Sequence, residues 1–98
     1  MSRARRTDEN QAEIVKTLRA IPGISVLDLS AVASGCPDIS VGFMGRNYFL
    51  EIKREIVPGK VFASDSKLNP LQIKWHSAWK GQVCVVRTMD DVFQVLGL

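Results

Sequence analysis

Hydrophobic positions recur with a helical period early in the chain, where Ile14, Val15, Leu18 and Ile21 share one face. Thr7 ahead of Asp8 and Glu9 reads as an N-cap followed by an acidic first turn, and Pro22-Gly23 stops the helix. Ile24 to Leu29 predicts a short apolar strand, and Ser30 to Pro37 a connection of small residues. The period then changes to two. Ile39, Val41 and Phe43 alternate with Asp38, Ser40 and Gly42; beyond Met44-Gly45, Tyr48, Leu50 and Ile52 alternate with Asn47, Phe49, Glu51 and Lys53. That is the pattern of a β-hairpin. Residues 54–67 have no clear period and contain Pro58-Gly59, which predicts a loop or an irregular β extension. Asn69-Pro70 opens a second helix with proline at its first position. Leu71, Trp75, Ala78 and Trp79 would supply its apolar side and Gly81 would end it. Gln82 to Arg87, centred on Val83-Cys84-Val85-Val86, predicts a buried strand. Thr88-Met89-Asp90-Asp91 has the form of a cap, opening a last helix through Val92, Phe93, Val95 and Leu96. The order helix, three strands, helix, strand, helix (αβββαβα) predicts an α/β layer with a mixed sheet.

The hairpin register decides which polar residues meet. If Met44-Gly45 is a two-residue turn, Phe43 pairs with Arg46, and counting outward sets Asp38 opposite Glu51. Opposed residues share a face, with Cβ atoms about 4.5–5.5 Å apart. A turn at Gly45-Arg46 would set Asp38 opposite Lys53 and keep all three groups on that face. A change of register parity, such as a bulge, would separate them.

The 98 residues make one domain's worth of chain, with residues 1–7 expected as a flexible basic arm and 8–98 as a single domain. Hydrophobic residues at 46% and charged residues at 23% are a globular balance, which excludes a disordered tail, a collagen-like chain and a coiled-coil rod. No apolar run approaches the ~20 residues of a membrane span. The basic start, Met1 to Arg6, has no apolar stretch behind it and so does not read as a secretory signal. Cys36 and Cys84 cannot make a disulfide scaffold or a four-ligand zinc site; they read as reduced thiols of a cytoplasmic protein. The net charge of +3 is small, and three of the arginines lie in the first six residues, so any further cationic surface must come from local clustering.

Two carboxylates converging on one sheet face repel unless a cation lies between them. Mg²⁺ or Mn²⁺ suits such oxygen ligands and retains sites for water and phosphate oxygens. Lys53, two residues after Glu51, returns to the same face, where an ammonium can stabilise charge on a phosphate or orient a water. Asp38, Glu51 and Lys53 are therefore the parts of metal-assisted phosphodiester hydrolysis. The alternative is a surface ion pair on a solvated face. His76 is the chain's one histidine and reads as a helix-surface or partly packed residue. Trp75 and Trp79, four apart, fit core or dimer packing better than base stacking. Cys36 reads as a small packed residue. No Walker motif or Gly-rich phosphate loop is present. Arg3, Arg5, Arg6, Arg46, Arg54, Lys60, Lys67 and Lys74 are candidates for DNA phosphate contacts, which orient a duplex without reading its sequence.

The wider spelling adds to this. Glu13 on the first helix, Gly35-Cys36-Pro37-Asp38, Val41-Gly42, Leu50-Glu51-Ile52-Lys53, Leu68-Asn69-Pro70-Leu71-Gln72 with Trp75, and Val85-Val86-Arg87-Thr88-Met89-Asp90-Asp91 occur in this order. Together they resemble the PD-(D/E)xK nuclease superfamily, and within it the virus-type replication-repair nuclease (VRR-NUC) domains, over roughly residues 10–97. The resemblance implies a restriction-endonuclease-like core. It implies that Asp38, Glu51 and the backbone carbonyl of Ile52 hold Mg²⁺ or Mn²⁺, that Lys53 acts on the water or the scissile phosphate, and that Glu13 reaches the metal directly or through water. Glu13 lies beside the apolar stripe, so a solvated helix acid is the other reading. Gln72 is placed beside the active site by the resemblance, yet it also stands where a capping-box partner of Asn69 belongs. The resemblance further implies a homodimer that cuts branched DNA such as a four-way (Holliday) junction, leaving 5′-phosphate and 3′-hydroxyl ends, in a bacterial or phage-infected cell. A non-catalytic DNA-binding or assembly module of the same fold, and a flap or linear-duplex nuclease inside a larger replication or recombination complex, are the competing readings.

Overall fold

The computed structural model describes residues 9–32, 34–54 and 67–98. The expected arm at 1–7, the Thr7 cap and Asp8, and the 55–66 part of the expected loop with Lys60 lie outside the described residues. The elements are α1 (Glu9–Arg19), β1 (Ile24–Asp28), β2 (Ile39–Phe43), β3 (Arg46–Ile52), α2 (Pro70–Ala78), β4 (Val83–Val86) and α3 (Met89–Leu96). This is a mixed α/β fold with a four-stranded mixed sheet in the order β1-β2-β3-β4.

The hairpin takes the first of the two registers considered. Met44 and Gly45 both have positive φ, 55° and 79°, which makes a primed turn whose twist matches that of the flanking strands. Phe43 therefore pairs with Arg46, and the ladder runs to Ile39 opposite Leu50. β1 adds antiparallel to β2, from Ile24 opposite Phe43 to Asp28 opposite Ile39. β4 runs parallel to β3, with Phe49, Leu50, Glu51 and Ile52 beside Val83, Cys84, Val85 and Val86. A parallel pair needs a crossover, and α2 lies in it.

One face of the sheet carries Ile39, Val41, Tyr48, Leu50, Ile52 and Val86, all buried against Ile14 and Leu18 of α1 and Val92 and Leu96 of α3. Each such side chain contributes about 1.5–3 kcal/mol when removed from water. Only Val86 of β4 is buried, although the run Val83–Val86 predicts a buried strand. The reason is position: β4 is an outer strand of the described sheet. α3 starts as expected, with Thr88 and Asp91 capping each other reciprocally, and it ends at Gly97 in the left-handed conformation.

α2 departs from expectation. It has no buried residue, and Leu71 and Trp79, assigned to its apolar side, are exposed. Its aromatic residues instead form a partly covered stack. Trp75 and Trp79 lie face to face at 4.8 Å, and both meet Phe49 edge-on. The helix stops at Ala78, with Trp79 as an extended C-cap, before Gly81 is reached. Gly81 serves packing: a Cβ there would stand 2.8 Å from the Trp79 indole nitrogen. Among the described residues no helix is long and apolar enough to cross a membrane.

Candidate active site

Glu51 faces away from the core, because Leu50 and Ile52 on either side of it are core residues. It is nonetheless only 1% exposed, so the solvated-face ion pair is not its environment. One step beyond the Ile39–Leu50 pair the register sets Asp38 opposite Glu51. Asp38 is fixed at both levels of its structure. Its amide donates to the Leu50 carbonyl at 3.1 Å, and its Oδ2 accepts from the Ile52 amide at 2.7 Å. The chain ahead of it is also determined. Gly35 has φ +86°, and a Cβ there would lie 2.6 Å from the Leu71 carbonyl oxygen, so the loop passes directly against the first turn of α2. Pro37 between them is buried.

Glu51 and Asp38 are hydrogen-bonded through their side chains. Burial, then the Asp38 charge and that hydrogen bond, push the Glu51 carboxyl from 4.5 up to about 8; Lys53 pulls it only weakly the other way. Near neutral pH Glu51 therefore keeps a proton, shared with Asp38. α2 closes over it. Gln72 Nε2 donates to Glu51 Oε2 at 3.1 Å, and His76 Nε2 lies 3.3 Å from Glu51 Oε1. Gln72 also completes the capping box: its Oε1 accepts from the Asn69 amide at 2.9 Å while its own amide donates to Asn69 Oδ1 at 2.9 Å. The cap and the contact with Glu51 thus use the two different atoms of one side-chain amide.

His76 is half-buried, in line with the partly packed reading, but its partner was not foreseen. Its side chain is 13% exposed and contacts the buried acid. Burial, then the Lys53 charge, holds its imidazole below the ordinary histidine range. The available signal was spacing: His76 follows Gln72 by four residues, so both lie on one helical face. Asn10 was missed altogether. Its Nδ2 donates to the Lys53 carbonyl at 2.9 Å and to the Arg87 carbonyl at 3.0 Å, fastening the first turn of α1 to the ends of β3 and β4. On its other side the Lys53 amide donates to the Val86 carbonyl at 3.0 Å.

The remaining candidates scatter. Arg54 is half-buried directly after Lys53, and Lys67 is exposed just ahead of α2. Arg46 is exposed at the hairpin turn, five residues or roughly 17 Å of extended strand from Glu51. Lys74 is exposed and stands two residues, about 200° of rotation, from both Gln72 and His76, on the other side of α2. Glu13 is exposed and makes no hydrogen bond or ion pair among the described residues. Cys36 fits the packed reading: burial, then Glu51 and Asp38, raise its thiol above the ordinary range, which suppresses the nucleophilic thiolate.

Among the described residues no three His, Cys, Asp or Glu side chains stand around a common centre as a ready-made ligand set. The donor chemistry of the Asp38–Glu51 pair still fits a hard divalent cation. Two carboxyls are pressed together, and one of them keeps a proton that a cation would replace. The Ile52 amide points to Asp38, and in an extended strand the carbonyl of the same residue points the same way. Compared with protein-family models, with curated proteins and with solved structures, the chain matches none.

Proposed function

We propose that this chain is a Mg²⁺- or Mn²⁺-dependent endodeoxyribonuclease with a restriction-endonuclease-like core, as its VRR-NUC-like motifs imply. We further propose that it acts as a homodimer on branched DNA such as a four-way junction, in the cytoplasm of a bacterial or phage-infected cell. The observation that carries this reading is the Asp38–Glu51 pair: two side chains thirteen positions apart, brought into one hydrogen bond with one of them almost completely buried. A buried acid pressed on a second acid contributes little to a fold, and it is a common mark of a functional site.

Asp38, Glu51 and the Ile52 carbonyl would hold the ion. When bound, such an ion supplies Lewis acidity to a phosphodiester oxygen and lowers the pKa of a coordinated water. The protein's own part is orientation. Gln72 and His76 fix the two oxygens of Glu51, and the Ile52 amide fixes Asp38. The backbone of Lys53 is held from both sides, by Val86 and by Asn10. Its ammonium acts electrostatically on both Glu51 and His76, which suits a charge meant for a phosphate. Arg54 and Lys67, with Lys74 and Arg46 further out, would contact DNA phosphates, as would Lys60, which lies outside the described residues. Glu13 would take part only through water.

The test is a labelled panel of four-way, flap and linear DNAs, each with Mg²⁺, Mn²⁺ or EDTA. Cleavage of the branched substrate is expected with metal and not with EDTA. Asp38→Ala and Lys53→Ala are expected to abolish it while junction binding persists. Undiminished cleavage by both variants overturns the assignment. Junction binding without cleavage in either metal makes the chain a non-catalytic binding module.

A further inference from the structure

His76, the chain's one histidine, brings an imidazole nitrogen to Glu51, and the proposed hydrolysis asks of it only that it orient this carboxyl. Its imidazole is confined on two sides. Nε2 lies 3.3 Å from Glu51 Oε1, and the ring meets the Trp75 indole at a centroid distance of 6.1 Å and an interplanar angle of 73°. α2 aims it at this carboxylate, one turn after Gln72.

The separation is informative. Adjacent ligands of an octahedral ion with bonds of about 2.1 Å stand about 3.0 Å apart. Nε2 and Oε1 are thus within a few tenths of an ångström of the spacing of two donors to one ion. In the described structure Glu51 is hydrogen-bonded to His76 on one side and to Asp38 on the other, and the three groups surround no common point. Asp38, Glu51 and Nε2 of His76 would hold such an ion in place of the hydrogen bonds they make here. Imidazole favours the later first-row metals, whereas Mg²⁺ favours an all-oxygen shell.

We propose that His76 is a nitrogen ligand to the divalent ion of the Asp38–Glu51 pair, so that this centre takes Mn²⁺ or Co²⁺ in preference to Mg²⁺. The proposal rests on the metal-centre reading above and adds a preference which two carboxylates and a carbonyl do not by themselves create.

The experiment is calorimetric titration of the full chain with Mg²⁺, Mn²⁺ or Co²⁺ alone, with the visible absorption of the Co²⁺ form recorded alongside. The proteins are wild type, His76→Ala, His76→Gln and Asp38→Asn. His76→Ala is expected to weaken Mn²⁺ and Co²⁺ binding about tenfold or more while Mg²⁺ binding stays within about twofold. The Co²⁺ bands are expected to move to longer wavelength, because oxygen replaces nitrogen. His76→Gln retains an amide donor for Glu51 and lacks the imidazole nitrogen, so it should behave as His76→Ala. Rescue by His76→Gln, or equal weakening of all three ions by His76→Ala, would show that His76 only holds Glu51 in place, and the proposal fails. So it does if His76→Ala changes nothing while Asp38→Asn weakens every ion. Absence of binding by the wild type, or binding that Asp38→Asn leaves intact, overturns the metal-centre reading itself, and the role given to His76 with it.

Discussion

Gln72 donates its Nε2 to Glu51 Oε2 across 3.1 Å while its Oε1 caps its own helix at the Asn69 amide. One side chain therefore couples the start of α2 to the buried acid of β3. The two functions separate in Gln72→Glu. Glutamate at the third helical position is as good a capping-box partner as glutamine, but its second oxygen would face Glu51 as an acceptor. The variant should fold with α2 intact, as judged by circular dichroism at pH 5–6. It should lose thermal stability relative to wild type as both acids ionise, and cleave DNA far more slowly. Gln72→Ala should lose about 1 kcal/mol from the cap and part of the activity. Full activity in Gln72→Glu would show that the Nε2 contact with Glu51 is incidental.

The Glu51 carboxyl, raised from 4.5 to about 8 by burial and by Asp38, has a consequence for stability in metal-free protein. The folded state binds a proton which the unfolded chain releases near 4.5. Stability from protonated Glu51 is therefore fully present below about pH 4.5, declines as pH rises, and is gone once pH passes about 8. The decline should amount to a few kcal/mol, since each pH unit between the two values is worth about 1.4 kcal/mol. Urea denaturation in EDTA between pH 5 and 9 measures it. Glu51→Gln should flatten this part of the profile, and saturating Mn²⁺ should restore stability at the alkaline end by taking the place of the proton. Identical pH profiles for wild type and Glu51→Gln would contradict a protonated Glu51.

Much of this centre could be read along the chain, and the reason is the hairpin. A two-residue turn at Met44-Gly45 fixes parity, parity fixes which side chains share a face, and Asp38 and Glu51 follow by counting. The capping pairs Asn69–Gln72 and Thr88–Asp91 were equally legible, because they are local. The contacts that escaped are those made across the fold. His76 meets Glu51 only because α2 lies over the second face of the sheet, a docking that no periodicity encodes. Asn10 stands in the polar first turn of α1, where an amide bound to two strand ends is indistinguishable from a solvated one. Leu71 misled in the opposite direction. An apolar residue on a short helix suggests a buried face, yet α2 packs chiefly through Trp75, Trp79 and the Gly35 loop and leaves Leu71 outside.

Gly35 and Gly45 both have φ near +80°, but only one is crowded. At Gly35 an added Cβ would lie 2.6 Å from the Leu71 carbonyl oxygen, whereas at Gly45 nothing lies within 4 Å. Gly45→Ala should therefore pay the left-handed backbone penalty alone, about 1–2 kcal/mol. Gly35→Ala adds a clash with backbone, about 1–3 kcal/mol more, and pushes the loop that carries Asp38 away from α2. Urea midpoints of the two variants give the comparison. Gly35→Ala should also depress cleavage, and Gly45→Ala, at the far end of the hairpin, should not. Equal loss of stability in both would mean that the loop yields freely at Leu71.

Asn10 offers the sharpest separation of stability from positioning. Its amide satisfies two carbonyls, on Lys53 and Arg87, that directly follow different strands and lie 43 and 77 positions away. Asn10→Ala leaves both without that donor, at about 1–3 kcal/mol, unless water enters. Asn10→Asp is nearly the same shape but aims a carboxylate at two carbonyl oxygens, and should destabilise more. The effect on function reaches the site through Lys53, whose backbone then keeps, among the described residues, the hydrogen bond from its amide to the Val86 carbonyl. At a temperature where both proteins are fully folded, Asn10→Ala should therefore bind a four-way junction as tightly as wild type and cleave it with a reduced kcat. A loss of binding in step with cleavage would place Asn10 in the DNA contact surface. Unchanged kcat in a destabilised but folded variant would confine it to holding α1 on the sheet.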